Sequence, residues 1–430
     1  MNYQECLDYL YSQLPMFQRV GAPALKYDLS NTFALMSALG DPHTKFPAVH
    51  IAGTNGKGSS AHALSAILTS AGYTTGLFTS PHLTSFTERM RIDGTPTKQA
   101  VVTDFVNGHT ELIERIKPSF FEMTFAMAMF HFANTGVDIA IIETGLGGRL
   151  DSTNVIHPEV CLITSIGLDH TELLGDTLDK IASEKAGIIK KNVPVVIGAD
   201  QPDILYVFVD VAKQKHAPLH QAVDIEISNI RAERTSVSVD VLSSKQPRFK
   251  DLKLDVPAGY FQKNIPGVLK TIDCLIDMGW EITEEDIAYG LGNVQSKSGL
   301  KGRFQVLHEE PLTVADISHN LPGITELVNQ LMHIKYATLH IVFGAVRDKK
   351  LDQMLKTLAK TRGEFYFTQS GVPRALPAHE LQSLAQSYNI EGDSYSNVNE
   401  AIASARHLAS SDDMILICGS TFVVAEIEGL

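Results

Sequence analysis

"FPAVHIAGTNGKGSSAHALSAIL", Phe46 to Leu68, decides the fold. An apolar run ends at Ala52, a Gly-Thr-Asn-Gly-Lys-Gly turn follows, and a helical pattern opens at Ser59. Strand, glycine turn and helix in that order make a phosphate cradle. Backbone N–H groups and the positive end of the helix dipole face the anion, and glycine lets the backbone come close. Gly53, Thr54, Asn55, Gly56, Lys57, Gly58 and Ser59 are therefore candidate ATP contacts, with Lys57 reaching the β- and γ-phosphates. The loop departs from G-x-x-x-x-G-K-[ST] at one place: Gly58 stands where the metal-binding hydroxyl belongs. A Mg²⁺ ion at this site must draw its oxygen ligands from elsewhere.

On both sides of the loop, branched apolar runs alternate with helical patterns, which predicts a mostly parallel α/β sheet. "TTGLFTS" (74–80), "VDIAIIETG" (137–145), "EVCLITSIG" (159–167) and "VPVVIGAD" (193–200) read as further buried strands. "FFEMTFAMAMFHFANTG" reads as a buried helix, and "TLDKIASEKAGIIK" as one with Lys190 and Lys191 at its C-terminal end. From about Asp224 to Val256 the pattern switches to period two, expected for antiparallel strands with one wet face. "QSKSGLKG" (295–302) is the best linker candidate, and after it the α/β alternation restarts. The expected organisation is an ATP-binding domain over 1–295, a linker over 296–302, and a smaller Rossmann-like α/β domain over 303–430.

Composition narrows the partners. A formal charge of −13 argues against nucleic acid, which needs a basic face. No stretch approaches the ~18 consecutive apolar residues of a membrane span. Four scattered cysteines without a C-x-x-C pair, and an acidic N-terminus without a signal-peptide pattern, point to a reducing, cytoplasmic setting.

Strand ends supply the remaining candidates. Ser80 follows one strand and Glu143 ends another, at the edge where open α/β sheets bind ligands. A carboxylate after four apolar residues is costly unless paired or bound to metal. Asp169 and His170 follow a third strand; a helix-capping role explains the pair equally well. Lys185 sits among small residues, and semi-burial there would favour its neutral amine.

These stretches, together with "TSPHLTSFTERMRIDG", "ETGLGGRLDSTN", "TSIGLDHTELLGDTLDKIASEKAGIIK", "KGRFQV", "DISHN" and "FGAVRDKK", resemble the folylpolyglutamate synthase/dihydrofolate synthase branch of the Mur ligase superfamily, in order along nearly the whole chain. The resemblance implies that Ser80, Glu143 and His170 serve Mg²⁺ and that Lys185 is carbamylated. It implies catalytic roles for Lys57, Lys185 and His170. Asn264, Arg303, Asp316, His319 and Asn320 would complete the ATP site, Asp316 toward the ribose and His319 toward the adenine. "FFEMTF", with Phe121 and Thr124, would border the folate, while Arg89, Arg149 and Asp151 would face substrate groups. "AGYFQKN", "DISHN" and "CGSTFVVAE" depart from the family's usual wording.

The implied reaction joins L-glutamate to a folate, or to dihydropteroate, at the expense of ATP through an acyl phosphate, in a monomer whose two domains close on the substrates. A non-catalytic folate- or nucleotide-binding relative is the alternative from outside enzymology.

Overall fold

The computed structural model describes residues 1–14, 28–233, 235–347 and 351–430. The chain forms two compact units. One comprises Met1–Ile230, Ser238–Leu254 and Lys263–Gly299; the other comprises Arg231–Val237, Asp255–Gln262 and Leu300–Leu430.

The first unit is built on eight strands: β1 (Ala48–Ala52), β2 (Thr75–Phe78), β3 (Met90–Ile92), β4 (Thr95–Pro96), β5 (Ile139–Glu143), β6 (Val160–Ile163), β7 (Val195–Ile197) and β8 (Leu219–Gln221). Their order is β4-β3-β2-β5-β1-β6-β7-β8. Pairing is parallel from β2 to β8, and β3 and β4 join antiparallel at one edge. The central strands β1, β2, β5 and β6 are buried along their whole length, which is why they lack polar alternation. The Phe120–Thr135 helix covers one face with Met123, Phe125, Met127 and Phe132. Its start is fixed by a capping box, Ser119 with Glu122.

The period-two region forms a three-stranded sheet, β9 (Ile225–Ala232), β10 (Val237–Ser243) and β11 (Gln246–Leu254). The second unit carries six strands, β12 (Gln305–Glu309), β13 (Leu312–Ala315), β14 (Leu339–Phe343), β15 (Glu364–Phe367), β16 (Gly392–Ser394) and β17 (Met414–Cys418), in the order β12-β13-β17-β14-β15-β16. All pairs are parallel except β12 with β13. A P-loop-type parallel sheet followed by a smaller α/β unit is the predicted class.

Two details differ from expectation. The predicted linker is half helical: Val294–Ser298 forms a short helix, and buried Ser298 bonds His62 Nδ1 through Oγ at 2.9 Å. The first unit therefore extends to Gly299, because a polar, glycine-containing composition does not prevent a local helix from docking by side chain. The lysine-bearing helix ends at Ala186, so Lys190 and Lys191 lie beyond it, and Lys190 Nζ bonds the Asn154 carbonyl at 2.6 Å instead. Of "FGAVRDKK", positions 348–350 lie outside the described residues.

Candidate active site

Because β2, β5, β1 and β6 are neighbours in that order, the segments leaving their carboxyl ends assemble at one edge. The glycine loop leaves β1 and enters the Lys57–Ser70 helix. It is laced to the exit of β6: Thr54 N–H donates to the Ser165 carbonyl at 2.7 Å, Thr164 Oγ1 to the Asn55 carbonyl at 2.8 Å, and Thr54 Oγ1 to the Gly167 carbonyl at 3.0 Å. Two glycines are required sterically. A Cβ on Gly53 would stand 1.7 Å from Thr164 Oγ1. Gly56 has φ +89°, and its Cβ would lie 2.5 Å from Asn264 Oδ1. Gly58 and Ser59 open the helix and are buried.

Two ammonium groups converge on this loop. Lys57 Nζ donates to the carbonyls of Gly53 at 3.0 Å and Thr54 at 3.2 Å, while Lys185 Nζ donates to the same Gly53 carbonyl at 2.7 Å. Lys185 is 3% exposed. Burial, with the Lys57 charge beside it, pulls its pKa from 10.5 to about 7, against the opposing pull of Asp169 and Asp151. A lysine with about half its amine neutral at pH 7 is a nucleophile.

Next along the edge, Glu143 is 5% exposed and accepts the Ser80 N–H at 3.0 Å. Two predicted metal residues thus come together. The third stands on its own segment: His170, at φ +49°, has its own N–H on Asp169 Oδ1 at 2.9 Å and its ring 3.9 Å from Asp169 Oδ2. Among the described residues no three His, Cys, Asp or Glu side chains converge as a metal cage. The site nevertheless fits Mg²⁺, which takes one or two carboxylates and completes its shell with water and phosphate oxygens. Asn264 Nδ2 is buried without a hydrogen-bond partner, an orphaned donor beside the loop.

The expected substrate residues divide. Phe121 packs against Gly145, where a Cβ would lie 2.5 Å from its ring, so it borders the site. Thr124 is 1% exposed and its hydroxyl bonds the Phe120 carbonyl of its own helix at 2.7 Å; it is a core residue. Arg89 is likewise buried, over the Phe120 ring at 5.2 Å, with Nε donating to His82 Nδ1 at 2.7 Å. Burial lowers its pKa to about 10, and that of His82 to about 3. Arg149 is exposed and pairs with Glu184, next to Lys185, at 2.8 Å. Asp151 turns inward, accepting the Leu146 N–H at 2.8 Å and the Thr153 hydroxyl at 2.5 Å, and burial pushes its carboxyl above the ordinary range.

The second unit brings its motif residues together around Asp316. Its carboxyl is fully buried and accepts the Tyr260 hydroxyl at 2.5 Å, the Phe304 N–H at 2.8 Å and the Ser318 N–H at 2.9 Å. In this structure the expected ribose residue braces the "KGRF" and "DISHN" turns, two of the donors sharing Oδ2 and one on Oδ1. Asn320 caps the Leu321–Leu331 helix through the Gly323 N–H at 2.9 Å. His319 Nδ1 lies 3.0 Å from the Ile317 carbonyl, and Arg303 Nη1 lies 3.5 Å from the Gly302 carbonyl. The Tyr260 and Thr164 contacts went unread in the sequence; a hydroxyl run at a strand exit was the only signal for the latter.

Comparison with known proteins agrees with this geometry. The family model for the Mur ligase middle domain matches residues 51–271, and that for the Mur ligase glutamate ligase domain matches 302–421. The dihydrofolate synthase/folylpolyglutamate synthase of Bacillus subtilis is 31% identical over 440 residues, covering 99% of this chain and 98% of that protein. The Lacticaseibacillus casei folylpolyglutamate synthase is 31% identical over 437 residues, 99% of this chain and 98% of that one. Among solved structures, Mycobacterium tuberculosis folylpolyglutamate synthase complexed with ADP and AMPPCP superposes with a TM-score of 0.88 at 29% identity, covering 99% of this chain and 98% of that one. The phosphate loop, the paired lysines and the full-length matches together place the chain in the folylpolyglutamate synthase/dihydrofolate synthase family of ATP-dependent Mur-type ligases.

Proposed function

We propose that this chain joins L-glutamate to a folate by an amide bond, with ATP cleaved to ADP and phosphate. The observation that carries the reading is the pair of lysine ammonium groups on the Gly53 carbonyl, one loop away from Glu143 and Ser80. A carboxylate is a poor electrophile. Its oxygen first attacks the γ-phosphorus of ATP, the bond to the β-phosphate oxygen breaks, and ADP leaves. The glutamate amine then adds to the acyl phosphate carbonyl, loses a proton, and phosphate departs from the tetrahedral species. Lys57 is placed to offset charge on the moving phosphoryl group, and Asn264 Nδ2 to meet the nucleotide. Glu143 and Ser80 would hold Mg²⁺, with His170 toward a second ion; the metal supplies charge neutralisation at the phosphates.

Lys185 would be carbamylated: its neutral amine attacks CO₂, a proton leaves, and the new carboxylate replaces one positive charge at the loop by a negative one. Relatives named for both activities support dihydropteroate as a second acceptor of the same site. Four buried free cysteines support a cytoplasmic setting, and we take the acting form to be a monomer. Among the described residues no helix is long and apolar enough to cross a membrane.

The test is amide formation by the purified chain with MgATP and L-glutamate. Dihydropteroate and a tetrahydrofolate monoglutamate are supplied separately, with Lys57→Ala as the blank. Product with the folate alone defines a polyglutamate-extending enzyme, and product with both a bifunctional one. No ADP above the blank with either acceptor overturns the ligase reading in favour of a binding protein.

A further inference from the structure

His50 lies in the middle of β1, fully buried, three residues before Gly53. Its Nε2 is 2.8 Å from Thr153 Oγ1, across 103 positions of sequence. Thr153 Oγ1 is in turn 2.5 Å from Asp151 Oδ1, and the Thr153 N–H reaches the same oxygen at 3.0 Å. The other Asp151 oxygen accepts the Leu146 N–H at 2.8 Å.

This chain of contacts has only one consistent direction. Both Asp151 oxygens already accept backbone N–H bonds, so the carboxyl is an acceptor toward Thr153 as well. The threonine hydroxyl has one hydrogen and gives it to Asp151. It must then accept from His50, which fixes the imidazole as the Nε2–H tautomer. The remaining nitrogen, His50 Nδ1, is buried with no hydrogen-bond partner. A cationic ring would need an acceptor there, and burial accordingly drives the His50 pKa to about 3. His50 is a permanent neutral donor.

The donor holds a particular piece of chain. Leu146 and Asp151 bracket the turn that follows Glu143 and carries Arg149. The same turn is tied to the lysine helix, through Arg149 N–H on the Glu184 carbonyl at 2.8 Å and Asn154 Nδ2 on the carbonyls of Arg149 and Gly187, both at 3.0 Å. Resting on the ligase reading above, we propose that His50 is a positioning residue of the reaction: through Thr153 and Asp151 it sets the Gly145–Arg149 turn relative to the phosphate loop that its own strand delivers. A core histidine with a merely structural role would need no proton order, and any group filling the space would serve.

Amide isosteres separate the two. Gln places its amide near the position of imidazole Nε2, Asn near that of Nδ1. His50→Gln is expected to keep kcat within about twofold, whereas His50→Asn and Thr153→Val each lower kcat about tenfold, the upper scale of one lost hydrogen bond. KM for ATP stays within about twofold in every case, because the loop's own N–H groups remain. Thr153→Ser, which keeps the hydroxyl, retains activity. The double variant His50→Asn/Thr153→Val is no slower than either single one, since both break the same chain.

Equal losses in Gln and Asn variants, additive losses in the double variant, or a change confined to KM overturns the proposal. The ligase reading fails separately, by absence of ADP formation in the unsubstituted chain. In that event the His50–Thr153 coupling is read from Tm values of the same variants, and additivity there overturns the positioning role as well.

Discussion

The loop after β1 and the loop after β13 occupy equivalent places, each leaving a parallel strand of its sheet, yet they use their polar side chains in opposite ways. After β1, two ammonium groups share one carbonyl, an arrangement that favours discharging one of them. After β13, Asp316 meets three donors and Asn320 caps its helix. Buried polar groups with matched partners are the structural norm, and unresolved like charges are where function gathers. Both loops carry candidate ATP contacts; the hydrogen bonds separate them.

The sharpest break of this contrast is at Lys57. Lys57→Ala is expected to lower ADP formation about 10³-fold, the upper scale for losing one preorganised electrostatic group. Its Tm should hold or rise, because the substitution also relieves Lys185. A variant that lost stability and kept turnover would make the loop a structural turn, like its counterpart in the second unit.

Lys185 comes next. Lys185→Met should lower turnover about 10²-fold, the lesser end of that scale. Its folded pKa of about 7 lies below the ordinary lysine value of 10.5, so between these values the unfolded chain binds more protons. Stability contributed by the neutral amine is therefore complete above about pH 10.5 and lost as pH falls to about 7. The advantage of Lys185→Met over the parent in thermal unfolding should grow over that interval and level off below it. Labelling with ¹³C bicarbonate checks the carbamate directly: a new carbonyl resonance is expected in the parent above pH 7 and none in Lys185→Met.

How far these sites were legible follows from how local their causes are. The strands β1, β5 and β6 announce themselves by unbroken apolar runs, and the glycine loop by residues next to one another. Lys185 was readable because its small neighbours already imply burial. Short edge strands such as β4 and β16 carry too few residues for a period. Position in a motif does not say which way a side chain such as Thr124 or Arg89 turns. The Phe120 carbonyl and ring, which claim them, are packing facts. The His50–Thr153–Asp151 chain depends on a strand and a distant turn meeting, and no spacing encodes it. The Asp316–Tyr260 contact is hidden from the sequence for the same reason, the two lying 56 positions apart.

In the second unit the contrast is tested through stability. Asp316→Asn replaces one accepting oxygen by a donor facing either the Tyr260 hydroxyl and Phe304 N–H, which share Oδ2, or the Ser318 N–H on Oδ1. The loss should be about 2–3 kcal/mol, the cost of a buried donor left without its charged acceptor. Chemical denaturation would show it as a lower midpoint. Tyr260→Phe removes one of three donors and should cost about half as much. A nucleotide-contacting role for Asp316 predicts the reverse ranking, a large rise in KM for ATP with an unchanged midpoint.

Asn320 gives the smallest and most discriminating effect. Its side chain accepts the Gly323 N–H, the usual work of an N-cap, and Ala there should cost about 1 kcal/mol. Asp and Ser cap helices about as well as Asn, so Asn320→Asp and Asn320→Ser should restore the midpoint. A nucleotide contact made by the amide would not survive either replacement, because Asp brings a negative charge toward phosphate and Ser is too short. Full stability with normal KM for ATP in both variants would place Asn320 wholly on the structural side. Full stability with KM raised tenfold would mean that the second unit, too, keeps a working polar group behind its helix cap.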